Sequence, residues 1–356
     1  EVVIVLGILL MTRKMADTPA EEGVKLDLVG TLLSATGLGL FVLGILKSGS
    51  WGFVQPKPGA PEWLGLSPVI WMVLAGGVAI AAFIAWENRR ISRGEGALFD
   101  PTLLKNIQLR GGVMSFFFMF MVQAGLFFCV PLFLSIALGL SAIETGVRLL
   151  PLSLSLLIFA AGIPKVLPDV SPRKVVRFGF MSLFAGLVLL VGLLEVGSGP
   201  EIITWPLLLA GAGLGAMASQ LGSVTVSAVP DEKSGEVGGL QNTGTQLGAS
   251  IGTALAGALL ISALTASFFT SVQGNPDIPD RLASKAQTEL ASGVPFVSDA
   301  QLETALSEAR VPPATAEATV KANEQARIDG LRAAVSVLAL MALASCACAA
   351  GCTANQ

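Results

Sequence analysis

The chain contains neither histidine nor tyrosine among its 356 residues. Without histidine it cannot build a Ser-His-Asp triad, a histidine general base or most kinds of zinc site. It also lacks the G-x-x-x-x-G-K-[ST] pattern, which excludes a P-loop ATPase. These absences argue against an enzyme, and we expect neither a catalytic residue nor a metal site.

Cysteine is scarce, with four residues in the chain. Cys129 lies inside an apolar run, and Cys346, Cys348 and Cys352 lie near the end of the sequence. The trio is compatible with a metal or palmitoylation site, but there is no Cys-x-x-Cys spacing and no second cluster. We therefore interpret these cysteines as small apolar helix residues followed by a frayed tail.

Charged residues are also few. They make up 13% of the chain, against ~25% in ordinary globular domains, while 53% of residues are hydrophobic. Apolar runs of about twenty residues are long enough to cross a bilayer. The basic residues lie in short loops rather than on one face, which argues against nucleic-acid binding. The composition predicts an all-α, polytopic membrane protein whose main partner is the lipid bilayer.

The apolar runs predict about eight full spans. An additional run at 2–11 measures only ~15 Å as a helix, half a bilayer, and we interpret it as the end of a helix that starts outside this sequence. The expected full spans lie at 27–46, 67–86, 111–134, 145–163, 175–194, 202–226, 237–268 and 331–350.

Positive charge between the spans predicts the orientation. The loops at 12–26, 89–110 and 164–177 hold most of the short-loop Lys and Arg residues, so we expect them and the C-terminus to be cytoplasmic. The long loop at 269–330 then lies outside. It is interpreted as a small helical cap, with a lid or a partner-docking surface as the alternative.

Small residues recur at four-residue spacing on two spans. Gly244, Gly248, Gly252 and Ala256 form one stripe, and Gly211 and Gly215 begin another that Ser219 and Ser223 continue. In lipid, small residues let helix backbones approach closely. We expect both stripes to pack helices together.

Polar side chains inside the spans are costly and therefore informative. They are Gln123, Gln220, Gln241, Asn242 and Gln246. Each amide serves either an interhelical hydrogen bond or the wall of a polar cavity. Asn242 and Gln246 leave both interpretations open. Gln123 shares a face with Phe127 and other large side chains, which favours a cavity for a bulky ligand, with a face turned to lipid as the alternative. No acidic residue lies deep in a span. We therefore expect any group that couples transport to protons to lie elsewhere.

Several segments resemble one family, the fourteen-helix drug:proton antiporter branch of the major facilitator superfamily. Residues 230–260 resemble its penultimate helix and read PDEKSGEVGGLQNTGTQLGASIGTALAGALL. Residues 25–44 are similar to its first additional central helix and read KLDLVGTLLSATGLGLFVLG. Residues 120–154 are similar to its ninth and tenth helices. The resemblance covers nearly the whole chain.

The resemblance implies the C-terminal half of a major facilitator fold. Residues 1–12 would end a truncated helix, 13–110 would hold the two additional central helices, and 111–356 would form a six-helix half with its outer loop at 269–330. The N-terminal half would be absent, and with it the acids that this branch uses for proton coupling.

The resemblance also implies roles for particular residues. Residues 162–177 look like a degenerate copy of the family's signature loop, in which the charged positions act as a conformational latch or simply set the topology. These positions are Lys165, Asp169, Arg173 and Lys174. The substrate cavity would be lined by Gln123, Phe127, Gln220, Asn242 and Gln246.

The expected function is that of a transmembrane transporter. The chain would be the C-terminal part of a proton-coupled multidrug-type efflux antiporter, in the bacterial inner membrane, working by rocker-switch alternating access. It would carry a small amphipathic or cationic substrate, with the proton gradient in place of a cofactor and the missing half as its partner. The alternative is a membrane scaffold or sensor that acts through its outer loop.

Overall fold

The computed structural model describes residues 2–12, 27–57, 59–195, 197–230, 233–273, 299–308 and 311–351. Within these ranges the chain is helical, without a named strand. Eight helices are long and apolar enough to cross a membrane. The expected all-α class with about eight spans is thus confirmed.

The helices run antiparallel along the chain. Their bounds are α1 Val2–Thr12, α2 Leu28–Trp51, α3 Pro68–Ser92, α4 Ile107–Leu132, α5 Ala142–Val166, α6 Pro172–Leu193, α7 Thr204–Val226, α8 Ser234–Gln273, α9 Asp299–Glu308 and α10 Pro313–Gly351. Short 3₁₀ helices precede α4 and α7, and α4 continues into one π-helical turn after Pro131, where the proline removes a backbone donor.

One helix, α10, is much longer than the span expected for it, and α8 extends a few residues beyond its expected bounds at each end. α8 has 40 residues and α10 has 39. The sequence predicts that the last span begins at Leu331, because polar residues and Gly330 precede it, but the helix continues through Gly330. Gly330 lies at the contact with α8, where an added methyl group would sit 2.8 Å from the Leu260 carbonyl oxygen. Helical periodicity predicts three segments in the loop at 269–330, namely 281–291, 299–310 and 314–328. The second agrees with α9 and the third with the first turns of α10, whereas 281–291 lies outside the described residues.

The helices form one bundle with a hairpin beside it. α4 contacts α7, α8 and α10; α7 contacts α5 and α6; and α10 contacts α6 and α8. α2 and α3 form the hairpin, and α2 also contacts α8. The bundle core consists of closely packed apolar side chains, among them Leu126, Phe180, Leu187, Leu214 and Leu338.

Large apolar side chains cover the outside of the bundle. On α5 they include Ile143, Leu157 and Ile158, each more than half exposed. Such a surface is unfavourable in water and is the surface that lipid requires. The chain is therefore a multi-pass membrane protein in contact with the bilayer.

At one end of the bundle, side-chain amides fasten α4 to α7. Asn106 caps α4 and donates to the Ala228 carbonyl oxygen at 2.8 Å, and Gln108 donates to the Val224 carbonyl oxygen at 2.9 Å. This end also holds the start of α2, the end of α3 and the start of α8, so it brings together segments that are distant in the sequence.

Candidate functional site on the helix faces and the connecting strap

The glycine stripe of α8 lies directly against α4. A methyl group on Gly248 would overlap the Phe117 carbonyl oxygen, and one on Gly252 would overlap the Met121 carbonyl oxygen. Gly244 is less tight, with Val113 at 3.3 Å. The two helix backbones thus approach each other as small residues permit.

The glycines of α7 allow close contacts on two sides. A methyl group on Gly211 would overlap Ser155, and one on Gly215 would overlap the Leu156 carbonyl oxygen, both on α5. On the other side, a methyl group on Gly213 would lie 2.7 Å from the Leu183 amide nitrogen of α6. α7 is therefore clamped between its two neighbours.

The predicted cavity residues lie on three helices, and their amides have no hydrogen-bond partner among the residues that the structure describes. Asn242 and Gln246 on α8 are exposed, and Gln123 on α4 and Gln220 on α7 are half-buried. Within the described ranges none of these four amides makes a side-chain hydrogen bond. Phe127 on α4 is 40% exposed. These side chains are available to a ligand, to lipid or to another protein surface.

A cavity of about 590 Å³ lies at the opposite end, between α9 and the start of α10. Its lining includes Glu303, Glu317, Lys321 and Glu324. None of the predicted cavity residues contributes to it. The predicted site and this cavity are therefore separate features.

The predicted latch residues are on the surface between α5 and α6. Lys165 lies in the last turn of α5, Asp169 in the connecting turn, and Arg173 and Lys174 in the first turn of α6, all exposed. Lys165, Asp169 and Lys174 form no ion pair with the part of the chain that the structure describes. Their role as a latch stays a prediction.

A buried polar cluster that was not predicted from the sequence lies at the end of the α2–α3 hairpin. Asp27 caps α2 and accepts hydrogen bonds from the Gly30 amide at 2.9 Å and from the Trp86 indole at 3.1 Å. Arg90 Nε lies 3.6 Å from Asp27 Oδ2. Glu87 is fully buried beside them, and its Oε2 accepts from the Leu98 amide at 2.9 Å.

Asp27 is the ionised acid of this cluster. Burial by itself would raise its pKa, but the hydrogen bonds from Gly30 and Trp86 and the positive charge of Arg90 outweigh burial and lower the pKa below its ordinary value. The carboxylate is thus held by several donors on the last turn of one helix and the first turn of another.

Residues 96–100, which we call the strap, connect this cluster to α8. Arg90 donates to the Gly96 carbonyl oxygen at 2.9 and 2.6 Å. At the other end of the strap, the Asp100 amide donates to Glu236 Oε2 at 2.8 Å, and Lys233 Nζ lies 2.5 Å from Asp100 Oδ2. The strap is therefore fastened to the hairpin and to the start of α8.

The ion pair between Lys233 and Asp100 shifts the pKa of both groups. The hydrogen bond from Lys233, helped by the Thr102 hydroxyl group, lowers the pKa of Asp100 to about 2. The same bond raises the pKa of Lys233. The two groups remain charged throughout the physiological range and hold the strap to α8.

One feature of the sequence bears on the hairpin cluster. Asp27 is the first residue of the first expected span, and Glu87 follows Trp86, the last residue of the second expected span. Consecutive spans joined by a short loop run antiparallel, which puts the start of the first and the end of the second at the same face. The order of the spans does not predict the contacts of the strap, because Asp100 and Lys233 are far apart in sequence.

The fold and these helix faces define a class of protein, the polytopic helix bundle of the transporter type. Glycines pack its helices together, and amides on the same helices have no hydrogen-bond partner within the described ranges. The sequence profile of the Major Facilitator Superfamily matches residues 28–253. The match covers more than half of the chain, and the chain belongs to this superfamily.

Relatives within the superfamily are named for drug export. The chain is 27% identical to the probable actinorhodin transporter of Streptomyces coelicolor, over 90% of this chain and 57% of that protein. It is 30% identical to the tetracenomycin C resistance and export protein of Streptomyces glaucescens, over 73% and 45%. It is 23% identical to the multidrug export protein EmrB of Escherichia coli, over 63% and 42%. The chain spans about half the length of these relatives.

Proposed function

We propose that this chain forms the C-terminal part of a proton-coupled, multidrug-type efflux antiporter in a bacterial inner membrane. The observation that carries the proposal is the set of amides on α4, α7 and α8 that have no protein partner within the described ranges. Unpaired polar groups on spanning helices are expensive in lipid and mark substrate paths. Relatives that are named for the export of antibiotics support the same conclusion.

The substrate is a small amphipathic or cationic compound. Phe127 lies one helical turn from Gln123 on α4, so that an aromatic face and an amide are offered on the same side. Aromatic rings bind apolar and cationic groups, and amides supply both donors and acceptors. Such a surface accepts many shapes and suits broad specificity.

Alternating access requires a second half. Carriers of this kind rock two bundles about a site near the middle of the membrane. The relatives are about twice as long as the aligned part, which supports a path completed by an N-terminal half. In this arrangement the basic loops and the C-terminus are cytoplasmic, and the strap lies on the cytoplasmic side.

The test is a chimaera that joins the N-terminal half of the Streptomyces coelicolor relative to this chain, purified and reconstituted in proteoliposomes. We expect transport of at least one member of a panel of cationic and amphipathic compounds, dependent on an imposed proton gradient and abolished by a protonophore. The full-length relative is the positive control. A folded chimaera that transports no compound of the panel contradicts the proposal.

A second variant separates transport from a role as scaffold or sensor. Replacing 275–310 by a flexible linker removes α9 and leaves α10 intact from Pro313. An exporter keeps most of its transport after this change. Loss of all function with a folded bundle would favour the scaffold or sensor instead.

A further inference from the structure

Two acidic side chains face each other at the end of the α2–α3 hairpin. Glu87 is 0% exposed and Asp27 is 6% exposed, although acids are almost never fully buried unless paired. Glu87 Oε1 lies 2.5 Å from the position of a methyl group on Gly30, and Asp27 Oδ2 reaches the same point. The two carboxyl groups therefore meet over the α-carbon of Gly30.

The hydrogen-bond donors are shared unequally between the two acids. Asp27 accepts from two N–H groups, one of them the Trp86 indole, and has Arg90 beside it. Glu87 Oε2 accepts from the Leu98 amide, and the Phe99 amide also interacts with this carboxyl group, but neither the indole nor the guanidinium lies at Glu87. Glu87 Oε1, by contrast, is buried and meets no donor within the described ranges. The group that it faces is Asp27, which is itself an acceptor.

The charges around the pair do not balance if both acids are ionised. Arg90 is the one cation that the described structure puts at the pair, and Glu95 also competes for it, with Oε2 at 3.8 Å from Arg90 Nη1. Two ionised carboxylates that share a buried site repel each other, and such pairs hold a proton. Glu87 Oε1 is the oxygen that accepts no hydrogen bond within the described ranges. This atom must therefore itself carry the proton that joins the two carboxyl groups.

We propose that Asp27 and Glu87 form a proton-binding site in which Glu87 Oε1 carries one proton and donates it to Asp27 in a hydrogen bond. In this state the pair and Arg90 are together neutral. Release of the proton breaks the Glu87 O–H bond and leaves its electron pair on the carboxylate. The cluster then carries one net negative charge, and two acceptors face each other over Gly30.

The strap gives this proton a route to α8. Glu87 holds the strap through the Leu98 amide, and two residues further on Asp100 is fixed to Glu236 and Lys233. Among the described residues, these three are the other charged groups of the strap and of the adjoining start of α8, and they contact one another. Repulsion between the two ionised carboxylates is therefore relieved most directly by displacing the strap, which also holds the first turn of α8.

The proton site itself stands on the geometry of the hairpin. Its use in transport rests on the proposed function, because α8 also carries Asn242 and Gln246. A test of proton binding must therefore not depend on transport.

Infrared difference spectroscopy of the purified chain in lipid nanodiscs provides such a test. A protonated carboxyl group has a C=O stretch that lies apart from the carboxylate bands and shifts on exchange into D₂O. We expect this band at neutral pH in the wild type, and its loss as the pH is raised. Glu87→Gln removes the band, and Asp27→Asn also removes it because the amide then supplies the donor that Glu87 Oε1 needs.

Glu95→Gln is the matched control, because Glu95 is an exposed acid that contacts the same Arg90. The band should persist at neutral pH, and only the pH at which it is lost should fall, because Arg90 is then shared with the pair alone. A wild-type spectrum without the band at neutral pH overturns the proposal, and so does a band that persists in a folded Glu87→Gln variant. The wild-type titration decides the matter even where a variant fails to fold.

Hydrogen–deuterium exchange tests the link to α8 in the same samples. Protection of the Leu98 and Asp100 amides should fall when the pH passes the transition of the infrared band, beyond the intrinsic pH dependence of exchange. In Glu87→Gln this additional loss should disappear, whereas in Glu95→Gln it should remain. An identical loss in all three proteins would separate the strap from the proton site.

Discussion

Gly30 permits the closest contact of the hairpin cluster. An added methyl group would lie 2.5 Å from Glu87 Oε1 and would overlap Asp27. We expect Gly30→Ala to lower the free energy of unfolding by about 1–3 kcal/mol, because overpacking a fitted site typically costs that much. Thermal unfolding in detergent measures the effect.

Gly39 on the same helix serves as the control for this substitution. Nothing lies within 4 Å of the position of its added methyl group. Gly39→Ala should leave the melting temperature unchanged or raise it slightly, since alanine favours the helix by ~0.5–1 kcal/mol over glycine. Equal melting temperatures for the two variants would show that the carboxyl groups do not occupy the space over Gly30.

Asp100 gives a prediction on pH. Its pKa is lowered from the ordinary value of 3.8 to about 2 in the folded protein, so the unfolded state binds a proton first. The stabilisation is therefore complete above pH 3.8 and is lost as the pH falls through about 2. Asp100→Asn should lower stability at neutral pH, and its difference from wild type should shrink over that acid window in melting experiments.

Asp169→Asn is the comparison for Asp100→Asn. Asp169 is exposed and has no ion pair within the described ranges, so its replacement should change stability by less than ~0.5 kcal/mol at any pH in the window. A pH-dependent effect of the same size in both variants would mean that the contact between Lys233 and Asp100 contributes no specific stability.

Single residues also show how far the sequence could be interpreted. The amides inside the spans were identified from the sequence because a polar residue in an apolar run is conspicuous. Glu87 was missed because it stands at the edge of a run, next to Asn88 and two arginines, where a charged residue is ordinary. Its burial comes from Asp27 on another helix and from the strap, and no local pattern reports such a contact.

At the scale of the element, α8 carries two different surfaces. Its glycines meet the backbone of α4, while Asn242 and Gln246 are exposed on another side. Gly248→Leu should strongly reduce folded yield and melting temperature, because the Phe117 carbonyl oxygen already fills the space of the first added carbon. Expression level and thermal unfolding of the purified protein measure this.

Gly239→Leu on the same helix is the matched control. The space around an added methyl group at Gly239 is empty within 4 Å, so this variant should fold like the wild type. If Gly248→Leu also folded normally, the stripe would not be a packing seam and α8 would have to sit differently against α4.

The spans were predictable as elements, and the length of the last was not. Hydropathy locates the part of a helix that lies in lipid, which is why each of the eight expected spans falls on a long helix of the structure. It cannot locate an end that continues into water. α10 extends 18 residues before Leu331, the expected start of the last span. Local periodicity predicts a separate helix at 314–328, but it does not predict that this helix continues through Gly330 into the span, where α10 packs against α8.

At the scale of the whole molecule, the glycines that pack the helices and the amides without a partner among the described residues lie on different helix faces. The glycine contacts join α4 to α8 and α5 to α7 into a fixed bundle. The unpaired amides lie on the same helices but away from those contacts. A half-carrier that moves as one body against a second half needs this combination, because its cavity wall must stay in place while the wall's polar groups remain free for a ligand.

The chimaera with the Streptomyces coelicolor half allows a test of one amide in this wall. Gln246 is exposed and makes no hydrogen bond within the described ranges, so Gln246→Leu should leave the melting temperature unchanged. Loss of one hydrogen bond to a substrate is worth ~0.5–1.5 kcal/mol. The apparent Michaelis constants of polar substrates should therefore rise about 2- to 10-fold, while those of apolar substrates stay the same or fall.

Gln241→Leu is the contrasting variant on the same helix. The Gln241 Nε2 atom is buried without a hydrogen-bond partner, so it is closed to a ligand, and removing an unsatisfied buried group is neutral or stabilising. This variant should keep the wild-type substrate profile and melt at the same or a higher temperature. If Gln246→Leu destabilised the protein and left the profile unchanged, its amide would serve the structure, and the cavity wall would have to be sought on another face.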